Sequence, residues 1–211
     1  MQPECFFERA RARLALDAPP ALHDPQVIPD KGDHELNLVM KALWAVRPIR
    51  PAAVLVPVVD RAEPTVLLTQ RAIHLPQHPG QISFPGGKIE STDETPLAAA
   101  LREAQEEVGL DARFVEPIGY LDLYMTTQGF RIVPSLARIS PDYRLTLNPS
   151  EVDEAFEVPL HFLMEPANHQ RHNRDWEGIT RYYFEIPFEQ RRIWGVTAGI
   201  LRNLYERIYA G

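Results

Sequence analysis

The sequence is 211 residues long, with 45% apolar residues, 24% charged residues and a formal net charge of −7, the composition of a soluble globular protein with one substantial domain. The acidic balance argues against broad nucleic-acid binding, which requires a basic face, and no apolar run approaches the ~20 residues needed to span a bilayer. Its single cysteine, Cys5, excludes an internal disulfide and a cysteine-built zinc site, so we expect a cytoplasmic protein without a membrane or nucleic-acid partner.

The N-terminal part of the chain predicts helices and a loop before any strand. Residues 2–16 and 33–46 are each predicted to form a helix, and the proline- and aspartate-rich stretch between them is typical of a loop. We therefore assign residues 1–34 to an N-terminal helix-and-loop extension and residues 35–211 to the main domain.

The middle of the chain predicts short strands followed by a helix. The β-branched runs at 52–59 and 64–72 are separated by a four-residue turn, which predicts a hairpin, and residues 81–84 form a further short strand. A helix then begins after a cap at Thr92 or Asp93.

The C-terminal half alternates between strands and loops and ends in a helix. The predicted strands lie at 117–125, 130–139, 152–158 and 180–188; the predicted loop spans 164–178, and the closing amphipathic helix spans 192–209. Strands on both sides of a central helix, with another helix at the end, imply an α/β fold with a mixed sheet.

The most informative segment runs from Gly86 to Leu110, GGKIESTDETPLAAALREAQEEVGL. In a helix, Glu103, Glu106 and Glu107 share one face, because residues three and four positions apart are surface neighbours. Such carboxylates repel one another unless a cation lies between them, and Mg²⁺ prefers oxygen ligands. The Gly-Gly turn before the helix lets the backbone approach a phosphate or a metal ion. The segment therefore predicts metal-assisted chemistry on a phosphorylated substrate.

This segment resembles the Nudix box, the signature of hydrolases that cleave a nucleoside diphosphate linked to another group. Residues 102–110 match the box fully, and Glu94 lies seven intervening residues before Arg102, as the pattern expects. The loop from Gly87 to Glu94 is one residue longer than usual, and loops tolerate such insertions. The combined pattern outweighs the alternative of a solvated acidic helix face. The resemblance implies a Nudix-type α/β/α sandwich with a mixed sheet over residues 35–211.

A second block looks like the additional motif of coenzyme A pyrophosphatases within the Nudix superfamily. It comprises Leu67–Ala72, Gly80 and Phe84–Gly87. The pattern of that subfamily has a further arginine where this chain has Pro76. The missing cation keeps two alternatives open: a Nudix pyrophosphatase acting on ADP-ribose or another nucleoside diphosphate derivative, and a non-catalytic nucleotide-binding module.

The resemblance also implies the roles of individual residues. The metal, Mg²⁺ or Mn²⁺, would be held by Gly87, Glu103, Glu106 and Glu107. The substrate would be contacted by Arg71, Phe84, Gly86 and Lys88. Arg102 would hold the glutamates in place, and the general base is left open among Glu106, Glu151 and Glu154.

The implied reaction is hydrolysis of coenzyme A at its pyrophosphate, which gives 4′-phosphopantetheine and adenosine 3′,5′-bisphosphate. The expected partner is therefore a small nucleotide of the coenzyme A type. A homodimer is the oligomeric state to test.

Overall fold

The structure is a computed structural model that describes four parts of the chain: residues 3–24, 26–37, 48–176 and 178–210. The helix predicted over 33–46 therefore lies mostly outside the described residues, and residues 33–36 form turns and bends. Within the described parts, no helix has both the length and the apolar character needed to cross a membrane.

Four α-helices are described: α1 (Pro3–Arg13), α2 (Pro96–Val108), α3 (Leu160–Leu163) and α4 (Val196–Tyr205), with a π-helical turn (Glu206–Ala210) directly after α4. The strands are β1 (Lys31–Gly32), β2 (Arg50–Val59), β3 (Thr65–Arg71), β4 (Ile82–Ser83), β5 (Gly86–Lys88), β6 (Val115–Tyr120), β7 (Tyr124–Met125), β8 (Phe130–Ile139), β9 (Val152–Pro159), β10 (Gln170–Trp176), β11 (Ile179–Phe188) and β12 (Arg191–Trp194).

The described strands form a large mixed sheet and a small antiparallel one. The large sheet has the order β1-β7-β8-β2-β3-β4, with β5 paired to β2, β6 to β8 and β9 to β3. Strand β2 runs parallel to β8 along its whole length, whereas its pairings with β3 and β5 are antiparallel. The small sheet has the order β10-β11-β12.

The large sheet separates two apolar cores. Alternate residues of a strand point to opposite faces, and β2 supplies Val56 and Val58 to one core and Leu55 and Val59 to the other. The first core also contains residues of α1, α4 and β12, and the second contains the buried face of α2. The predicted α/β/α sandwich with a mixed sheet is confirmed.

The N-terminal helix is packed into the first core. Phe6 and Phe7 are fully buried there, beside residues of β6 and α4. Downstream of α1, the buried guanidinium of Arg131 donates hydrogen bonds to three main-chain carbonyls of the following loop, one of them Asp24 O at 2.6 Å. Residues before β1 therefore complete the core of the main sheet.

Replacing Phe6 with alanine is expected to lower the free energy of unfolding by roughly 3–5 kcal/mol, because it leaves a cavity beside the sheet. Urea unfolding followed by circular dichroism measures the change. The control is Glu8→Ala, since Glu8 is exposed on the same helix. Equal stability of the two variants would mean that α1 contributes little to the core.

Two predictions for the C-terminal region were wrong. Residues 164–178 were predicted to be a loop, but β10 pairs with β11 in unbroken register from Gln170↔Glu185 to Trp176↔Ile179. This strand is polar on both faces, so it has no apolar alternation to reveal it. The closing helix was predicted to start at residue 192, but Gly195 (φ 64°) separates β12 from a helix that begins at Val196.

The strand predicted over 117–125 also differs in the structure. It is divided into β6 and β7, and both pair with β8. The hairpin of β2 and β3 and the strand over 130–139 are confirmed.

Candidate active site

Helix α2, which carries the three glutamates, has defined ends and one buried face. Thr95, and neither Thr92 nor Asp93, is the N-cap: its hydroxyl accepts a hydrogen bond from Ala98 N at 3.1 Å, and Pro96 follows in the first turn. Gly109 ends the helix in the left-handed conformation (φ 68°). The buried stripe of the helix packs on the sheet through Ala99, Ala100, Ala104 and Val108.

The glycine pair of β5 brings the backbone against two of these glutamates. Gly86 N donates a hydrogen bond to Glu107 Oε2 at 3.3 Å. A Cβ atom at Gly87 would lie 2.7 Å from Glu103 Oε2 and would overlap the rest of that carboxylate. A side chain at Gly87 would therefore displace the Glu103 carboxylate from its present position.

Glu107 is the most buried acid of the site, with 4% of its surface exposed. Its pKa is raised to about 8, mainly by burial; the Gly86 N–H and the charge of Arg71 oppose the rise, whereas the charges of Glu103 and Glu151 contribute to it. A charged carboxylate at this position needs a positive partner, and a bound divalent cation would supply one.

Glu103 lies in the same electrostatic field. Its pKa is raised mainly by burial and also by the charges of Glu106 and Glu151, whereas its hydrogen bond with Arg102 opposes the shift. The structure therefore brings Glu151 near the glutamates of α2, although it lies 44 positions beyond Glu107 (151 − 107) in the chain.

Arg102 ties the box together through five hydrogen bonds. Its guanidinium contacts both carboxylate oxygens of Asp93 at 3.0 and 3.1 Å, Glu103 at 3.0 Å and Glu106 at 3.2 Å. It also donates to the main-chain oxygen of Lys88 at 3.1 Å. The bidentate contact with Arg102 lowers the pKa of Asp93.

The acidic partner of Arg102 is Asp93 and not Glu94, the acid that has the box spacing to Arg102. The Asp93 side chain is 6% exposed, whereas Glu94 is an exposed residue. The loop after Gly87 contains one extra residue, so the acid that reaches Arg102 is Asp93, nine positions before it in the chain. That insertion was the signal in the sequence that could have revealed Asp93.

Replacing Asp93 with asparagine is expected to lower kcat about tenfold, because Arg102 would lose its bidentate partner and the glutamates their fixed orientation. The matched control, Glu94→Gln, should change kcat by less than about twofold, as for other exposed positions. Initial rates at saturating Mg²⁺ measure both. The reverse order would restore Glu94 as the acid of the box.

Arg71 ends β3 on the same side of the sheet. Its Nε is buried and has no hydrogen-bond partner among the described residues. Its charge lowers the pKa of Glu107, which shows that it stands close to the box. The Arg71 guanidinium can therefore bind an anionic group of a substrate.

Glu154 lies away from the box because of the pleat of β9. Its carboxylate accepts a hydrogen bond from Arg191 at 2.7 Å. Two residues further on, Phe156 packs against the core of α4, whereas Ala155 between them packs against the core of α2. The structure therefore does not bring Glu154 together with Glu103 and Glu107.

One predicted substrate contact, Phe84, differs in the structure. Phe84 is 3% exposed and belongs to the core of α4, so its ring is a packing group and cannot face a substrate. Lys88 is exposed, and its carbonyl oxygen contacts Arg102. Gly86 contributes its backbone N–H to Glu107.

The donor set fits a hard divalent cation, although the described side chains do not form a ready-made metal site. No group of three histidine, cysteine, aspartate or glutamate side chains in the described ranges is close enough to hold an ion. Glu103 and Glu106 both turn towards Arg102. Mg²⁺ and Mn²⁺ prefer oxygen ligands. The candidate ligands here are carboxylate oxygens and a main-chain carbonyl, without nitrogen or sulfur.

Comparison with known families decides the relationship. The model of the NUDIX domain matches residues 49–178, which include the whole box. The chain belongs to the Nudix family. Nudix hydrolases act on nucleoside diphosphate derivatives and generally need a divalent metal ion.

Curated Nudix relatives agree with this assignment. A protein named "Uncharacterized Nudix hydrolase NudL" from Enterobacter sp. (strain 638) is 42% identical over 163 residues, covering 74% of this chain and 81% of the relative. The protein of the same name from Salmonella paratyphi B is 43% identical over 155 residues, with the same coverage.

Solved Nudix structures are more distant. An Ap4A hydrolase binary complex from C. elegans is 22% identical, with a TM-score of 0.44, and the match covers 52% of this chain and 80% of that one. The NUDIX domain of Shewanella oneidensis NrtR, complexed with ADP ribose, is 20% identical, with a TM-score of 0.43 and coverages of 57% and 79%.

Proposed function

We propose that this Nudix hydrolase cleaves the pyrophosphate linkage of coenzyme A or its derivatives, giving 4′-phosphopantetheine and adenosine 3′,5′-bisphosphate. The observation that supports it is the position of Arg71. This residue belongs to the block resembling coenzyme A pyrophosphatases, and its charge acts on Glu107 of the Nudix box. The two motifs therefore contribute to one site.

The glutamates of α2 and the carbonyl of Gly87 would hold the metal. A bound Mg²⁺ or Mn²⁺ would neutralise phosphate charge and lower the pKa of a bound water. Arg102 restrains Glu103 and Glu106 through its hydrogen bonds. Arg71 would bind the substrate through charge-assisted hydrogen bonds to a phosphate oxygen.

Glu151 is the general base that the geometry favours. It acts electrostatically on Glu103 and Glu107, so its carboxylate is near the reaction site. Glu154 is paired with Arg191 on the other face of the sheet, and the exposed Glu106 is paired with Arg102. Glu151 would accept a proton from the attacking water.

ADP-ribose or another nucleoside diphosphate derivative is the second candidate substrate. Pro76 occupies the position of the second subfamily arginine, and it is exposed in the loop that follows β3. One anionic contact expected for coenzyme A is therefore missing. The reaction at the diphosphate would be the same for either substrate.

A substrate panel with product identification tests the proposal. Coenzyme A, 3′-dephospho-coenzyme A and ADP-ribose are compared with Mg²⁺ and with Mn²⁺, and the products are identified by mass spectrometry. We expect coenzyme A to have the highest kcat/KM and to yield the two named products. A preference for ADP-ribose would replace the proposed substrate, and hydrolysis of no diphosphate would indicate a nucleotide-binding module.

The cellular setting proposed is the cytoplasm, with which the exposed free thiol of Cys5 is compatible. A homodimer stays a prediction. Sedimentation velocity of the full chain measures the assembly directly.

A further inference from the structure

The segment before β9 caps the metal-binding helix. Thr146 N donates to Val108 O at 2.8 Å, and Asn148 N donates to Glu107 O at 2.9 Å. The last carbonyls of a helix have no partner within it, so these two bonds complete the C-terminus of α2. Gly109 permits the close approach, since a Cβ there would lie 2.9 Å from Thr146 O.

Asn148 lies at the centre of this segment. Its side-chain Nδ2 donates to Glu151 Oε1 at 3.0 Å, and its Oδ1 accepts hydrogen bonds from Ser150 N at 3.1 Å and Ser150 Oγ at 2.6 Å. Its carbonyl oxygen accepts from Glu151 N at 3.0 Å and Val152 N at 2.9 Å. The two donors on Oδ1 fix the orientation of the amide, so its NH₂ group faces the Glu151 carboxylate.

Glu151 needs such a restraint because of its surroundings. Its charge and those of Glu103 and Glu107 repel one another, because all three are carboxylates close enough to interact electrostatically. Without a donor, the flexible Glu151 side chain would turn away from the box. One hydrogen-bond donor on the same loop can hold the carboxylate in place at little entropic cost.

We propose that Asn148 is a positioning residue that orients Glu151 and fixes its loop to the metal-binding helix. The inference rests on the proposed role of Glu151 as general base. The main-chain N–H of Asn148 donates a hydrogen bond to the Glu107 carbonyl, and its side-chain amide donates one to the Glu151 carboxylate. It would therefore set the base relative to the metal ligands.

Asn148→Asp removes the side-chain donor and places a negative charge beside the Glu151 carboxylate, which repels it. Aspartate has nearly the same shape and can still accept from Ser150, but it cannot donate to Glu151. We expect kcat to fall about 10- to 100-fold, the cost typical of lost outer-shell contacts, with KM and melting temperature close to wild type. The matched control is Ser150→Ala, which removes a contact to Asn148 without touching Glu151.

A double-mutant cycle with Glu151→Gln separates positioning from general support of the fold. If Asn148 acts through Glu151, adding Asn148→Asp to Glu151→Gln should change kcat by less than about twofold. Losses that multiply in the double variant would overturn the inference, as would wild-type kcat in Asn148→Asp. Should Asn148→Asp fail to fold, Asn148→Ser keeps a short acceptor for the loop and is subject to the same criteria.

The cycle is run on whichever diphosphate of the substrate panel the wild-type protein hydrolyses. Turnover of ADP-ribose but not of coenzyme A would overturn the proposed substrate while the cycle still decides the role of Asn148. Turnover of coenzyme A with multiplicative losses would leave the proposed function intact and overturn the role of Asn148. Hydrolysis of no diphosphate would overturn both.

Discussion

Replacing Glu107 with glutamine is expected to reduce metal-dependent hydrolysis at least ~100-fold, because loss of a metal ligand costs more than loss of an outer-shell partner. The backbone should tolerate the change, since glutamine has the same shape and can still accept a hydrogen bond from Gly86 N. Steady-state kinetics with Mg²⁺ and with Mn²⁺ measure the loss. Glu106→Gln, at an exposed position of the same helix, should lose less activity.

The same substitution is expected to stabilise the metal-free protein at alkaline pH. Burial raises the pKa of Glu107 from 4.5 to about 8, so between these values the folded state binds more protons than the unfolded state does. The stability of the metal-free wild type therefore falls as pH rises from 4.5 to about 8, with the full penalty present above that range. Glutamine carries no charge and escapes this penalty.

Thermal melts in the presence of a chelator test this direction of the change in stability with pH. Glu107→Gln should melt above wild type near pH 8.5 and close to wild type near pH 4.5, where Glu107 is protonated in the folded state and only half ionised in the unfolded state. Glu106→Gln should show no such crossover. If Glu107→Gln melts below wild type at both pH values, the carboxylate is a structural group.

The affinity for a metal ion should depend on the protonation of Glu107. Below a pH of about 8, a cation must displace the proton on Glu107 before the carboxylate can bind it. The Mn²⁺ affinity of the wild-type protein should therefore rise with pH up to that value, and calorimetry in two buffers should detect the released proton. An affinity that does not depend on pH would exclude Glu107 as a ligand.

The local parts of the site could be predicted from the sequence because they depend on short-range periodicity. Glu103 and Glu107 lie one helical turn apart, so their common face follows from the helix alone. The glycine pair likewise indicated a close backbone approach, which the overlap of a Gly87 Cβ with Glu103 confirms. Near-neighbour spacing therefore sufficed for the box.

The remainder depends on contacts between distant segments. Asp93, and not the Glu94 of the box spacing, pairs with Arg102 because the inserted loop residue changes how the chain closes onto α2. Glu154 is a candidate base only because the family resemblance allows a base from a later segment, and the alternation of Ala155 and Phe156 between the two cores shows why its side chain lies on the other face of the sheet. The capping role of Asn148 also needs the folded contact with α2.

Strand β10 shows a different limit. Prediction from alternation requires one buried face, and β10 carries polar residues on both faces. Its pairing with β11 depends on main-chain hydrogen bonds, which every residue type except proline can both donate and accept. Phe84 shows the converse case, since an aromatic residue beside a motif is more often part of a core than of a site.

Arg71→Gln is expected to lower kcat/KM about 10- to 100-fold for every diphosphate that the enzyme accepts, because a charge-assisted hydrogen bond to the shared pyrophosphate is lost. The melting temperature should change little, since Arg71 Nε has no described partner to lose. A loss confined to coenzyme A would instead place Arg71 against the part of the substrate that distinguishes it.

Arg61 provides a matched control near the opposite end of β3. Its guanidinium makes two hydrogen bonds of 2.7 Å to Glu157, and together with Tyr143 and Thr65 it lowers the pKa of that acid to about 2. Arg61→Gln should therefore lower the melting temperature at neutral pH and leave kcat/KM unchanged. The Arg61 guanidinium is paired with the Glu157 carboxylate, whereas Arg71 Nε has no hydrogen-bond partner among the described residues. We therefore expect Arg61→Gln to lose stability and Arg71→Gln to lose activity. Wild-type kcat/KM in Arg71→Gln would remove the link between the two motifs and with it the main support for coenzyme A as the substrate.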